Sequence, residues 1–327
     1  MRAPAIQTLW QRYRDLISRT PVSFTEPLLD NKTLDDLQHR AQSALQPLIA
    51  PRQVSSHKLI GEQLSRFRGR GFEFEENRNY QTGDEPRLIN WRLYARTGDL
   101  YTKVFNEERR PEVYLVADRR AGMRFGTRGQ LKAAQAAKIV ASAFYQAQRQ
   151  ALAVGGIILN ETVDWFAPAM AKATSLDFVR SLALPCPPLG FDTPQPDLNS
   201  AFSLLLDRIP HGSYILCVSD FSDLDADTSA SLLHQLSRHN DVEAILIRDP
   251  AEDRMGAHGT LLLDDPDSDV PIRIDDGDRE LRARYKEAIA RQDSEIREVF
   301  QLAGIPLRSC STEDEIDACL DHPHAYQ

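Results

Sequence analysis

From Glu112 onward, short apolar segments alternate with amphipathic segments of helical period, and this alternation is the strongest constraint on the fold. The apolar segments have the length of strands and are nearly continuous, which is typical of strands buried on both faces of a sheet. Helices that alternate with such strands cover the two faces. The pattern therefore predicts an α/β fold with a doubly wound, mostly parallel sheet. The four clearest strands read EVYLVAD, LAVGGIILN, SYILCVSD and VEAILIRD.

The chain is predicted to comprise three parts. Residues 1–56 read as two short helices, and the second begins at a Thr33-x-x-Asp36 pattern and carries an apolar stripe that should pack on something larger. Residues 57–111 form a polar block rich in turn signals, for which short strands with tight turns are a better interpretation than helices. Residues 112–327 form the sheet domain, in which ETVDWFAPA is predicted to be an antiparallel edge strand.

The net charge of −9 argues against polyanionic partners. From Asp249 to Leu281, eleven Asp or Glu residues stand against three Arg residues, so most of the excess negative charge lies in one stretch. From His57 to Arg110, eleven Lys or Arg residues stand against nine Asp or Glu residues. Because binding to nucleic acids or anionic membranes requires an excess of Lys and Arg on one face, no nucleic-acid partner is expected.

Cysteine spacing and hydropathy bear on the compartment. The four cysteines show no C-x-x-C spacing, and Cys217 lies in an apolar strand, so unpaired thiols in a reducing compartment are expected. The N-terminal segment lacks the continuous apolar core of a signal peptide. No stretch approaches the roughly 18 to 20 apolar residues of a membrane span. The sequence predicts a cytoplasmic protein with no integral membrane segment.

Two of the predicted parallel strands end in an aspartate, Asp118 and Asp220. In an open α/β sheet, ligands bind at the carboxyl ends of the strands, near the point where the strand order reverses. We therefore expect these carboxylates to lie at neighbouring strand ends on one edge of the sheet. The segment Asp249-Pro250-Ala251-Glu252 also follows a strand, and it either lines the same edge or forms a turn.

The polar block carries the longest motif in the chain. It fits R-x-Y-x-x-G-D-x-x-R-x-I-x-W-x-x-[ST]-A-R-x-x-x-L-x-x-K at nearly every position. The matching residues include Arg78, Tyr80, Gly83, Asp84, Arg87, Trp91, Arg96 and Lys103. In this motif, and more loosely as far as Thr312, the chain resembles the bacterial domain-of-unknown-function-58 family. That family couples such a block to a von Willebrand factor A-like (vWA) domain, so the resemblance implies a vWA-like sheet.

Metal-binding vWA domains hold Mg²⁺ in a metal-ion-dependent adhesion site. The first strand ends in D-x-S-x-S, a Thr comes from a later loop and an Asp from the fourth strand end, so that hard oxygens surround the ion. The resemblance implies a degenerate site here, without a metal or other cofactor, because an intact Mg²⁺ site would need water for most of its ligands. The corresponding positions are Asp118, Arg120, Gly122, Pro196 and Asp220.

Two interpretations of Arg119 and Arg120 stay open at this point. The forked donors of Arg120 or Arg119 can bridge the two strand-end carboxylates in place of an ion. Alternatively, both arginines point to solvent and the carboxylates cap neighbouring helices. Exposed arginines at this edge are also candidate anchors for a partner protein.

The polar block likewise supports two interpretations. It is a docking surface with Arg and aromatic anchors, or it is a buried network in which Asp84 pairs with Arg87 and Arg96 around a Trp91 core. The candidate partner-binding residues in the block are Arg78, Tyr80, Asp84, Arg87, Trp91 and Arg96.

The sequence favours a non-catalytic adaptor over an enzyme. A hydrolase that uses Asp118 and Asp220 is the alternative, but no nucleophile with an oriented base accompanies them. Nucleic-acid binding through the Arg-rich block is a further alternative, opposed by the charge. The resemblance implies a MoxR-type AAA+ ATPase as partner and a chaperone-like role toward an unknown client protein.

Overall fold

The computed structural model describes residues 25–43, 72–81, 84, 86–107, 111–126, 129–170, 172–187, 189, 193–250, 252, 260–265, 268–275 and 279–320. The chain divides into a larger unit, Met1–Leu48 with Pro111–Gln327, and a smaller unit, Ile49–Arg110. The N-terminal helix is thus grouped with the sheet domain. The first helix expected within residues 1–56 lies outside the described residues.

Strands and helices alternate along the described chain as the sequence pattern predicts. The strands are β1 (Phe72–Asn79), β2 (Tyr101–Glu107), β3 (Val113–Asp118), β4 (Val154–Leu159), β5 (Val163–Ala169), β6 (Tyr214–Ser219), β7 (Asp241–Arg248), β8 (Thr260–Asp265), β9 (Ser268–Asp275) and β10 (Leu307–Ser311). The helices are α1 (Asn31–Ser43), α2 (Trp91–Thr97), α3 (Lys132–Arg149), α4 (Lys172–Ala183), α5 (Leu198–Arg208), α6 (Thr228–His239), α7 (Arg279–Ala303) and α8 (Ile316–Leu320).

A six-stranded sheet organises the larger unit. Its strand order is β10-β7-β6-β3-β4-β5. Strand β5 runs antiparallel to β4 at one edge, and the remaining neighbours are parallel. The strand order reverses between β3 and β6, as it does in a doubly wound sheet. This topology confirms the predicted α/β, vWA-like fold and the antiparallel edge strand.

Burial explains why the central strands read as continuous apolar runs. Every residue of β3, β4 and β6 is buried, because helices cover both faces of the sheet. Aromatic side chains from strands, loops and helices meet on one side of this core, including Tyr114, Phe202, Phe221 and Phe300.

Helix α1 packs against α3, so its apolar stripe does cover a larger body. Leu37 and Ala41 supply the buried face. The helix begins earlier than the Thr33-x-x-Asp36 pattern predicts. Asp30 caps it instead, since its Oδ1 accepts a hydrogen bond of 2.7 Å from the Thr33 backbone N–H.

The described part of the smaller unit is a β1–β2 antiparallel hairpin with a one-turn 3₁₀ helix and helix α2 between its strands. The prediction of strands and tight turns alone is therefore wrong for residues 91–97. The reason is local capping at both ends of α2. The Asn90 side chain accepts from the Leu93 backbone N–H, and Gly98 ends the helix in the left-handed region at φ 81°.

Two cysteines correct the expectation of four unpaired thiols. Cys310 and Cys319 form a disulfide that joins the end of β10 to α8, with their Cα atoms 5.6 Å apart. Cys186 and Cys217 are free and buried. None of the described helices combines a membrane-spanning length with the apolar composition that a bilayer core requires.

Candidate functional site

The two strand-end aspartates lie at the same edge of the sheet, as predicted. Asp118 ends β3 and Asp220 directly follows β6, and these two strands are parallel neighbours. Both side chains are buried, with relative exposures of 1% for Asp118 and 5% for Asp220. Buried carboxylates require compensating partners, which the neighbouring loops supply.

Arg120 compensates Asp118. Its Nε and Nη2 donate to the two oxygens of that carboxylate at 3.0 and 2.8 Å. The same guanidinium donates to Asp223 at 2.5 and 3.0 Å, and to the Pro196 carbonyl at 3.2 Å. Arg120 is buried, so it does not point to solvent. The arginine therefore bridges two carboxylates as an ion would, but the second is Asp223 rather than Asp220.

The Arg120 charge is permanent. Burial disfavours the charged guanidinium, but the attraction of Asp118 and the hydrogen bonds to Asp223 and Asp118 outweigh burial and raise the pKa of Arg120 above its ordinary value. No physiological pH removes this charge from between the two carboxylates.

A second buried cation, Lys132, compensates Asp220. This first residue of α3 places its Nζ 3.0 Å from Asp220 Oδ2 and 2.6 Å from Glu252 Oε1. All three side chains are buried. Glu252 therefore lines the edge, and its backbone N–H donates to the Asp249 carbonyl as in a turn.

The five positions that the resemblance assigns to a metal-ion-dependent adhesion site lie at this edge of the sheet. A Cβ atom at Gly122 would lie 2.5 Å from Asp220 Oδ2, so glycine permits this close approach. The loop before α5 reaches the site through the Pro196 carbonyl that Arg120 contacts. The Ser219 hydroxyl donates to Asp118 Oδ2 at 2.6 Å. These residues do not fit a divalent ion, because a guanidinium and an ammonium already contact the carboxylates that would bind it.

Arg119 faces away from this edge. Its Nη1 donates to the Ser181 carbonyl at 2.6 Å, and its Nη2 donates to the Leu184 and Pro185 carbonyls at 2.7 and 2.8 Å. These carbonyls lie in the last turn of α4 and directly after it, and Arg119 is only 3% exposed. The burial corrects the expectation that Arg119 is a surface anchor, and the contacts rule it out as the residue that replaces the ion.

Among the described residues of the polar block, Asp84 pairs with Arg78 and not with Arg87 or Arg96. Arg78 Nη2 donates to Asp84 Oδ1 at 2.6 Å, and the Thr102 hydroxyl donates to Asp84 Oδ2 at 3.0 Å. The hydrogen bond from Arg78 holds the pKa of Asp84 below its ordinary value. Arg87 and Arg96 are exposed and are not the partners of Asp84.

Trp91 is not the core of the block, because 58% of its surface is exposed. It begins α2, and its ring meets the Tyr94 ring edge to face, with centroids 6.1 Å apart. Tyr80 is half-buried and donates its backbone N–H to the Leu100 carbonyl. Gly83 of the motif lies outside the described residues.

Sequence patterns do not predict several residues of the site. Asp223 follows Asp220 by three residues in a loop, and Lys132 lies at the start of an Ala-rich helix, so neither has a distinctive local pattern. The aspartate-rich sequence of the loop after β6 was the only available signal for Asp223.

The described residues offer no activated thiol near the edge. Burial raises the pKa of Cys217 to about 12 and also raises the pKa of Cys186. Elsewhere, Cys310, Asp314 and Cys319 could group around a metal ion, but the two sulfurs are bonded to each other.

Comparisons with known proteins place the chain among uncharacterised relatives. It is 26% identical to the uncharacterized protein Rv1480 of Mycobacterium tuberculosis over 299 residues, which cover 90% of this chain and 92% of the relative. An uncharacterized protein of Mycobacterium bovis, Mb1516, has the same identity and coverage.

Solved structures give a low similarity. The conserved hypothetical protein BatB from Bacteroides thetaiotaomicron matches 64% of this chain and 94% of its own, at 9% identity and a TM-score of 0.39. The SpRpn10 VWA domain matches 64% of this chain and 93% of its own, at 10% identity and a TM-score of 0.35. The fold assignment rests on the strand order and not on these scores. Residues 76–295 match the model of the family described as protein of unknown function DUF58, and the chain therefore belongs to that family.

Proposed function

We propose that this protein is a non-catalytic adaptor that acts by binding other proteins. The observation that carries the proposal is the bridge from Arg120 to Asp118 and Asp223. A guanidinium in that position leaves the strand-end edge without an open coordination site and leaves its carboxylates paired. Neither Asp118 nor Asp220 then resembles a general base waiting for a substrate, which also argues against the hydrolase alternative.

We further propose that the partner is a MoxR-type AAA+ ATPase and that the complex acts on a client protein in a chaperone-like way. The partner class comes from the family, whose members are commonly encoded beside such ATPases. The described chain supports a division of labour in which the ATPase supplies nucleotide hydrolysis, because its own sequence contains no P-loop motif. A cytoplasmic location and the absence of a bound metal belong to the same proposal, although the Cys310–Cys319 disulfide does not support that location because disulfides are rare in reducing compartments.

The test is direct binding to the MoxR-type ATPase encoded nearest to this chain in its own genome. Both proteins are purified, and the complex is measured by light scattering after size exclusion, with ATP turnover recorded in parallel. We expect a defined complex and a changed turnover rate. The Arg120→Glu variant places a third carboxylate against Asp118 and Asp223 and should disrupt the edge, whereas Arg180→Glu, on an exposed part of α4, is the matched control.

A parent chain that neither binds the ATPase nor alters its turnover would exclude this partner. Hydrolysis of ester or phosphate substrates by the parent chain, lost in Asp118→Asn, would contradict the non-catalytic role. The two results are separate, so the partner and the absence of catalysis are judged independently.

A further inference from the structure

Helix α2 exposes aromatic and cationic side chains, and their exposure does not contribute to folding. We name Trp91, Arg92, Tyr94 and Arg96 the α2 surface; all four are exposed. Trp91 and Tyr94 have exposed fractions of 58% and 43%. Large aromatic side chains are costly to leave in water, and with arginine they are the residues most enriched where proteins bind one another.

Helix α2 is capped at both ends although it is short. The Asn90 side chain caps its start, and Asn90 Nδ2 also donates to Asn77 Oδ1 of strand β1 at 2.8 Å. The Gly98 backbone N–H donates to the Tyr94 carbonyl at its end. The Trp91 and Tyr94 rings meet edge to face on the helix surface. A prearranged surface loses little conformational entropy when it binds a partner.

The charge of this surface specifies the partner's chemistry. From Pro86 to Lys103, four Lys or Arg residues stand against a single Asp, in a chain whose net charge is −9. Arg92 and Arg96 are four residues apart on α2, where like charges destabilise a helix. Within the described chain, neither of these two guanidiniums pairs with a carboxylate. Asp84, in contrast, is already paired with Arg78.

We propose that the α2 surface binds a carboxylate-rich segment of a partner protein. Arg92 and Arg96 would form forked hydrogen bonds with its carboxylates, and Trp91 with Tyr94 would pack against its apolar or aromatic side chains. A protein segment is favoured over nucleic acid because the few cations of this surface are too few to neutralise a run of phosphates, whereas Trp91 and Tyr94 offer an apolar contact area beside them. The proposal rests on the adaptor role but not on the identity of the ATPase.

The probe is a fluorescein-labelled 15-residue peptide of Glu, Asp, Tyr and Leu, measured by fluorescence anisotropy with the full chain. A second peptide with Gln for Glu and Asn for Asp removes the charge, and oligo-dT of 15 nucleotides tests the nucleic-acid alternative. We expect the acidic peptide to bind at least about tenfold more tightly than either, with an affinity that falls as salt rises.

Two variants locate the binding. Arg92→Glu with Arg96→Glu, and separately Trp91→Ala, should each weaken the acidic peptide at least about tenfold. The control variant, Arg180→Glu with Arg291→Glu, changes the net charge by the same amount as the double α2 variant, but at exposed arginines outside the smaller unit. Its affinity for the acidic peptide should stay within about twofold of that of the parent. Circular dichroism and thermal unfolding should match the parent for all of them, because the substituted side chains are exposed.

Three outcomes would overturn the proposal. They are an acidic peptide that does not bind the parent up to about 1 mM, equal binding by parent and α2 variants, and tighter binding of oligo-dT than of peptide. The ATPase experiment is read separately. If the parent and an α2 variant bind the ATPase equally well, the adaptor role is retained. The α2 surface is then rejected as the docking site for the ATPase.

Discussion

At the scale of single residues, the strand-end edge is organised by two buried cations, Arg120 and Lys132. Each contacts one of the two aspartates that a metal-binding vWA domain would direct at its ion, and each recruits a further carboxylate, Asp223 or Glu252. A buried ion pair adds little net stability over apolar packing, but removal of one partner leaves an uncompensated buried charge. The edge therefore depends on both cations being present.

Replacement of Lys132 by methionine tests this dependence. The substitution keeps the side-chain volume but leaves Asp220 and Glu252 without their shared cation, so we expect the free energy of unfolding to fall by about 3 to 5 kcal/mol at neutral pH. Urea denaturation measures the loss. The exposed Lys286→Met on α7 is the control and should change stability by less than about 0.5 kcal/mol. A loss no larger than that of the control would show that Lys132 does not hold the edge together.

Metal affinity provides a second residue-scale prediction. The parent should not bind Mg²⁺ or Mn²⁺ at micromolar concentrations, because both strand-end carboxylates face internal cations. The substitutions Arg120→Ser, Gly122→Ser and Pro196→Thr restore the missing ligands but leave Lys132 in contact with Asp220. In addition, the serine side chain introduced in place of Gly122 must displace the Asp220 carboxylate. We expect these three substitutions to create measurable affinity only when Lys132→Gln is added.

Isothermal titration calorimetry with Mn²⁺ compares the parent, the triple variant and the quadruple variant. If the triple and quadruple variants bind Mn²⁺ with equal affinity, the role given to Lys132 is contradicted. Micromolar binding by the parent would contradict the whole account of the edge.

At the scale of elements, the sequence predicts features that follow from periodic patterns. It does not predict features that depend on contacts between distant parts of the chain. The parallel strands and the shared edge of Asp118 and Asp220 follow from apolar periodicity and from the geometry of open sheets. The direction of Arg119 does not, since it depends on carbonyls at the end of α4, more than 60 residues later in the chain. The sequence does not predict helix α2 for a local reason, because the period of a seven-residue helix is too short to be recognised.

Arg119 is expected to hold the end of α4 in place. Arg119→Met removes the donors that satisfy the Ser181, Leu184 and Pro185 carbonyls, so the last turn of α4 should fray and the free energy of unfolding should fall by about 2 kcal/mol. Hydrogen exchange followed by mass spectrometry should show faster exchange in residues 178–186. Arg180→Met, an exposed arginine on the same helix, should exchange like the parent. Unchanged exchange in the Arg119 variant would refute the capping role.

The β1–β2 hairpin of the smaller unit should lose stability in acid. The hydrogen bond from Arg78 lowers the pKa of Asp84, so the stability that this pairing supplies is present above the ordinary aspartate value of 3.8 and is lost as the pH falls through the lower folded-state value. Amide protection factors in β2 should therefore drop on acidification below about pH 4. Asp84→Asn should lower protection at neutral pH and remove this acid-dependent step, whereas Asp99→Asn should retain it. An acid step that persists in Asp84→Asn would assign it to another group.

At the scale of the whole molecule, the chain combines a sheet edge closed by its own cations with a smaller unit that carries an exposed aromatic and cationic helix. Metal-binding vWA domains can use a bound ion to capture a carboxylate of the partner. An edge whose carboxylates are already paired with Arg120 and Lys132 has no such ion to share, so contact with a partner has to be made by side chains.

This difference predicts that the proposed complex with the ATPase does not depend on a divalent metal. In the nucleotide-free state, EDTA should leave the affinity of the parent chain unchanged within about twofold, because no bridging ion is there to be removed. The quadruple variant used for calorimetry is the informative control, since any ATPase binding that it gains through Mn²⁺ should disappear with EDTA. Biolayer interferometry with the ATPase immobilised measures both. Dissociation of the parent complex by EDTA, with recovery on addition of Mn²⁺, would show that a metal bridges the partners and that the internal cations do not replace it.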